Sequence, residues 1–216
     1  MTRRDPGGPA PARAVRPQLR QPGTVLGPRA ARTIAKILDS TRQIFLTKGY
    51  AGTTVEEIMR VAGVSRGSFY TYFPSKRDVL LALGADSARA GLRIVAQLDA
   101  LAGGWTIDDL EAWTIGYLDM LDEHGSFAIA WTQAAQEDEE IRQAGMTGHL
   151  PICRRLGVAV GALGPTPAQE PTELGLAVFA MLERAWGYSQ LYEGTVTRAA
   201  LARTTARTIA ALEHAP

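Results

Sequence analysis

Residues 63–76 hold the most concentrated candidate chemistry in this 216-residue chain, and two readings compete for it. Gly63-Val64-Ser65-Arg66-Gly67 fits G-x-S-x-G, where a serine on a strand-to-helix turn becomes a nucleophile once an acid and a histidine activate it. That chemistry needs a strand immediately before Ser65. The preceding residues have helical spacing and the pair Glu56-Glu57 instead, and His124, His149 and His214 have no sheet to act on. No enzyme activity is expected. The second reading is nucleic-acid recognition through a helix, a tight turn and a second helix. Gly63 permits the turn, and Ser65 caps the second helix. The first turn of that helix then presents Arg66, Gly67 and Ser68: a two-pronged donor, a residue allowing close approach, and a small hydroxyl. Tyr70, Thr71 and Tyr72 are expected to point outward beside Lys76, a set suited to phosphate oxygens. Phe69 and Phe73, four residues apart, share the face packed on Ile58 and the first helix.

A second group of chemically notable residues lies in the C-terminal half. Trp113, Tyr117, Phe127, Trp131, Phe179 and Trp186 exceed what a small helical core requires, and aromatic-lined cavities between helices are common ligand sites. Glu183 stands in the otherwise apolar run Leu174–Ala185, where a bare charge is costly. It is either paired with an arginine or the partner chain, or a polar anchor for a ligand. The three histidines and Cys153 lack metal-ligand spacing, so neither metal nor cofactor is expected. Glu137-Asp138-Glu139-Glu140 reads as a solvated helix start, and Gly157, Gly161 and Gly164 as points of close helix packing.

The elements that must position these groups are all helical. Ile34, Ile37, Leu38, Thr41, Ile44 and Phe45 recur at helical spacing until Gly49. Thr54 with Glu57 predicts a capping box, Ser65 opens a helix that Pro74 ends, and Ser75 opens a long helix to about Leu101. Further helices are predicted over about 107–123, 126–136, 139–163 (kinked or restarted at Pro151), 172–193 and 197–213. Alternating β pattern is absent, so the fold class is all-α with about nine helices. The segment Leu174–Leu182 is apolar on nearly every side, so one face must meet a second subunit. With Ala199, Ala200, Ala202, Ala206 and Ala210 of the last helix, it predicts a two-fold homodimer through the last two helices.

From Ile37 to Leu80 the chain resembles the tetracycline-repressor-like (TetR) family of transcriptional regulators. The resemblance rests on Phe45, Gly49-Tyr50, Thr53-Thr54, Ile58, Ala62-Gly63-Val64-Ser65, Gly67, Phe69-Tyr70, Tyr72-Phe73, Ser75-Lys76 and Leu80. It implies a three-helix DNA-binding domain in which Thr54 starts the first helix of the motif. Arg66, Gly67, Ser68, Tyr70, Thr71 and Tyr72 take the recognition-helix positions, and Lys76 a phosphate-touching one. It further implies an effector cavity among the later helices. The corresponding division is a Pro/Arg-rich leader over 1–28, a DNA-binding domain over 29–75, and a ligand-binding and dimerisation domain over 76–216.

Charge agrees with that division. Residues 1–80 hold 14 Lys/Arg against 5 Asp/Glu, a net +9, whereas residues 81–216 hold 9 against 17, a net −8. A basic first third on an acidic remainder suggests a polyanion partner for one part only. The leader carries six of the twelve prolines and five arginines, a composition for a solvated arm or one reaching DNA. No apolar run is long enough for a bilayer, and a lone Cys153 fits a reducing compartment, so a cytoplasmic protein is expected. The expected function is a repressor that a small apolar or aromatic effector releases from a palindromic operator. The competing reading is an all-α ligand-binding or scaffold protein whose basic end meets a membrane or another protein.

Overall fold

Each helix begins at a residue whose side chain or ring geometry starts one. The computed structural model describes residues 27–165, 167–192 and 194–212, so the leader, apart from Gly27 and Pro28, lies outside the described residues. Among the described residues there are eight α-helices: α1 (Pro28–Lys48), α2 (Val55–Ala62), α3 (Arg66–Tyr72), α4 (Lys76–Ala96), α5 (Ile107–Glu137), α6 (Glu139–Gly161), α7 (Pro171–Leu191) and α8 (Arg198–Leu212). A 3-10 turn over Gln97–Leu101 continues α4, and no strand occurs among the described residues. Proline opens α1 and α7, where its missing N–H costs nothing. Thr106 and Asp109 close a full capping box on α5, and Asp138 alone separates α5 from α6, accepting the Glu140 and Ile141 N–H groups.

Two expectations are corrected. Helices predicted over 107–123 and 126–136 are one helix, because Gly125 is not a break: the Trp186 ring lies where its Cβ would be. Thr54 accepts the Glu57 N–H at 3.2 Å, but Glu57 does not return the bond. Its carboxylate takes the Lys48 ammonium at 2.5 Å instead, tying α2 to the end of α1. Pro151 lies inside α6 without restarting it.

The buried side chains form two cores. The first unites Ile37, Phe45, Ile58, Phe69 and Phe73 of α1–α3 and the turn after α3 with Val79, Leu80 and Leu83 of α4 and Ala130 and Ala134 of α5. The second gathers the upper part of α4 with α5–α8 around Trp113, Tyr117, Leu156, Leu182 and Ile209. Helices α6 and α7 cross with backbones in contact. A Cβ on Gly157 would fall on the Pro171 carbonyl, and one on Gly175 on the Cys153 carbonyl. Ala202 and Ala206 of α8, expected at a subunit interface, are instead buried in the second core with Ile209. Exposed apolar residues occur on most helices; those on α7 (Leu176, Ala177, Ala180) and α6 (Leu150, Val158) are among them, with Ile107, Ile115 and Ile129 on α5.

Candidate functional site

The helix-turn-helix is built by caps at both sides of a left-handed glycine. Gly63 (φ 63°, ψ 38°) ends α2, its N–H on the Arg60 and Met59 carbonyls, and Val64 N–H returns to Met59 O at 3.1 Å. Ser65 Oγ then accepts the Ser68 N–H at 3.2 Å and opens α3. A helix therefore precedes Ser65, which leaves the nucleophile-elbow reading without its strand. Phe69 and Phe73 are fully buried with ring centroids 6.1 Å apart, fixing the inner face of α3. Its outer face presents Arg66, Gly67, Tyr70 and Thr71, all exposed. The Arg66 guanidinium lies 5.2 Å from the Tyr70 ring centroid and 3.5 Å from Glu56 Oε1. Both contacts are solvent-facing and weak enough to yield to a stronger anion or base edge. Thr71 Oγ1 donates to the Gly67 carbonyl at 2.8 Å.

Two members of the expected DNA-facing set are placed otherwise. Tyr72 does not point outward; it is half-buried and packs on the first core. Lys76 is turned inward, its ammonium donating to the Tyr50 carbonyl at 2.6 Å and the Thr53 carbonyl at 2.8 Å, over the Tyr50 ring at 4.2 Å. Burial lowers its pKa. Lys76 thus pins the start of α4 to the loop between α1 and α2. Gln133 of α5 supports the same loop, its Oε1 accepting the Tyr50 N–H at 3.1 Å.

Farther along α4, a cavity of about 270 Å³ opens between α4, α5, α6 and α7. Of the seven residues expected in its wall, Phe127, Trp131, Phe179 and Glu183 line it. Trp113, Tyr117 and Trp186 do not. Trp113 Nε1 donates to the Ile94 carbonyl at 2.9 Å within the second core, and Trp186 Nε1 donates to Asp122 at 2.8 Å, where Arg198 of α8 also binds. Tyr117 is fully buried behind Phe179, edge-on with centroids 6.2 Å apart, and its hydroxyl has no hydrogen-bond partner among the described residues. Burial raises its pKa well above the ordinary value.

His124 and His149 also line the cavity, a role that sequence reasoning did not assign to them. Burial lowers the pKa of both, so each is neutral at pH 7. His149 stands edge-on to Phe179 at 4.6 Å, its Nε2 3.3 Å from Cys153 Sγ. Burial pushes the Cys153 thiol up to about 11 and the Glu183 carboxyl up to about 8. A signal for His124 exists in the sequence, since it shares a helical face with Phe127 and Trp131. Glycines admit the rings: a Cβ at Gly84 would sit 2.8 Å from Phe127, and one at Gly145 would fall on Trp131.

Residues 37–83 match the family model described as bacterial regulatory proteins, tetR family. The head is similar to the HTH-type transcriptional regulator EthR of Mycolicibacterium smegmatis, 41% identical over 68 residues that cover 29% of this chain and 31% of that protein. The chain spans less than a third of the length of the first curated relatives it matches. A longer likeness, 28% identity over 153 residues, joins 61% of the chain to 70% of the HTH-type transcriptional regulator SrpR of Pseudomonas putida. The fold extends beyond the head. The fatty acid degradation regulator FadR of Bacillus halodurans matches with a TM-score of 0.62 over 86% of this chain and 96% of that one, at 22% identity. Head and body together define an all-α protein with a helix-turn-helix DNA-binding domain. Over residues 37–83 the chain matches the DNA-binding head of the tetR family of bacterial regulatory proteins, and over most of its length it shares the fold of solved regulators of that kind. Among the described residues, no helix is long and apolar enough to cross a membrane.

Proposed function

We propose that the chain is a homodimeric transcriptional repressor, released from a palindromic operator when a small apolar or aromatic effector enters the cavity. Residues 29–75 read DNA, and residues 76–216 sense the effector and dimerise. The observation that carries this reading is the double role of α4. Its N-terminus is clamped to the reading head by Lys76, and its next turns supply Gly84, Ala85, Ala88 and Gly91 to the cavity wall. On another face of α4, Asp86 pairs with Arg42 of α1 and with Arg89, and lies 3.9 Å from His124 of the cavity wall. A ligand that favours a wider spacing of α4 and α5 therefore tilts the helix that carries the head. It must bind the two conformers unequally, since only differential affinity shifts the equilibrium.

A second copy fits the exposed apolar face of α7, with α6 contributing Leu150 and Val158 and α8 its exposed Ala199 and Ala200. Two heads related by a two-fold axis reach half-sites about 34 Å apart, and a tilt of α4 in each copy spoils that spacing. Selection of bound duplexes from a random pool, followed by a salt titration, tests the reading. A palindromic consensus whose affinity falls steeply with salt supports it. Absence of sequence preference at every salt concentration, with binding to lipid or another protein, supports the scaffold reading in its place.

A further inference from the structure

The cavity wall has an uneven chemistry that narrows the effector beyond apolar or aromatic. Phe127, Trp131 and Phe179 give it three aromatic faces or edges, and Glu183 gives it a carboxyl. Among the described residues, no lysine or arginine lines it. Phe179 and Glu183 are one helical turn apart on α7 and share a face. Glu183 has no hydrogen bond or ion pair to a described residue, and Arg184, the nearest basic side chain in sequence, is exposed and sits over the Tyr188 ring at 5.8 Å. Burial makes this carboxyl costly to ionise, the exposed Arg184 offsets that only in part, and an incoming cation in the cavity removes the remaining cost. Aromatic faces attract the same cation through their quadrupoles. An anionic ligand, by contrast, finds no cation and one acid.

Resting on the reading of this cavity as the effector site, we infer that the effector is an organic cation: an ammonium group on an aromatic or aliphatic frame, with Glu183 as its counter-ion and Phe127, Trp131 and Phe179 as its walls. In the empty protein Glu183 is largely protonated at pH 7, because burial pushes its carboxyl up to about 8. Cation binding ionises it, and the proton leaves to solvent. The other titrating groups around Glu183 stay out of the relevant range. His124 of α5 and His149 of α6 are shifted below their usual value, Cys153 of α6 is at about 11, and Tyr117 of α5 is higher than usual. Near pH 8, proton release on binding therefore reports Glu183.

The test uses three probes of similar shape on the full chain: benzyltrimethylammonium, its neutral carbon isostere neopentylbenzene, and 3-phenylpropionate, with binding read by calorimetry and by the fluorescence of the cavity tryptophan. The cation should bind best, and its affinity should rise roughly tenfold per pH unit below about pH 8 and then level off. Glu183→Gln should remove both the pH slope and the preference for the cation while leaving neopentylbenzene binding unchanged. Equal binding of cation and isostere, a flat pH profile for the cation, or tightest binding of the anion would overturn the cation assignment while the effector cavity itself stands. Failure of all three probes to bind overturns both. If Glu183→Gln does not fold, the pH profile of the unaltered protein decides alone.

Discussion

Gly67→Ala separates what the reading head needs in order to fold from what it needs in order to touch DNA. A Cβ built on Gly67 meets no atom within 4 Å, and the residue is not among the glycines with positive φ. Glycine therefore serves no internal purpose in α3, and costs helix stability relative to alanine by about 0.5–1 kcal/mol. That cost makes sense if the space outside Gly67 is filled by something other than the protein. The position lies in the first turn of α3, between the exposed Arg66 and the capped Ser68, where a recognition helix comes nearest to base edges. A methyl group there holds the backbone off by more than a hydrogen bond tolerates, and disrupting one good base-edge pairing costs about 1–3 kcal/mol. The variant should thus be more stable, by about 1–4 °C in Tm for a chain of this size. Its operator affinity should fall about 10- to 100-fold. Thermal unfolding and fluorescence anisotropy on a selected operator read the two quantities separately. Greater stability with unchanged affinity would refute close approach of DNA at Gly67; lower stability would refute the open space outside it.

Arg66→Ala should weaken operator binding by about 1–3 kcal/mol and relax base preference at one position of each half-site, as competition against single-base operator variants would show. Leu176→Arg on the exposed face of α7 should convert dimer to monomer in sedimentation equilibrium without loss of helicity; a dimer that persists places the interface elsewhere. Glu183→Gln should change the pH dependence of stability. The native carboxyl keeps its proton up to about pH 8, whereas the unfolded one loses it near 4.5. The unaltered protein therefore loses stability as pH rises between those values, by at most about 1.4 kcal/mol per unit. The variant lacks that loss, and parallel denaturation curves for the two proteins from pH 5 to 8.5 would contradict it. Tyr117→Phe removes a buried hydroxyl that has no partner among the described residues and should leave stability unchanged or raise it by about 1 kcal/mol in urea unfolding.

The reading head is legible in the sequence because its signals are local. Thr54, Gly63, Ser65 and Pro74 each act within a few residues of themselves, and all four mark the boundaries of α2 and α3. The inward turn of Lys76 is not legible, because its partners, the carbonyls of Tyr50 and Thr53, belong to a loop that spacing alone does not bring to it. Gly125 mimics a break for the same reason: the ring that needs its space comes from α7. Aromatic content identifies Phe127, Trp131 and Phe179 in the cavity wall, but periodicity gives the face of a helix and not the neighbour it meets. Trp113 and Trp186 are therefore indistinguishable from wall residues in the sequence, though their indole N–H groups bind Ile94 and Asp122 inside the bundle.

In the proposed mechanism, coupling between cavity and head would arise from how little soft material lies between them. At Gly84 the Phe127 ring packs against α4 so closely that a Cβ there would be 2.8 Å from it. A flexible side chain could absorb the displacement of a neighbouring ring by changing rotamer; a glycine has none, so a ligand that pushes Phe127 must move the helix backbone itself. The turn that carries Gly84 also carries Asp86, whose ion pair with Arg42 reaches α1 of the head. The Arg42–Asp86 pair is half-buried and ties α4 to α1 of the head at one point. The strength of the coupling would come from the first core, which continues from Phe69 and Phe73 into Val79, Leu80 and Leu83 without a break. Because α4 shares that core with the head, a tilt of α4 would carry the head with it. The 1–3 kcal/mol typical of coupling between two sites is then available from packing alone.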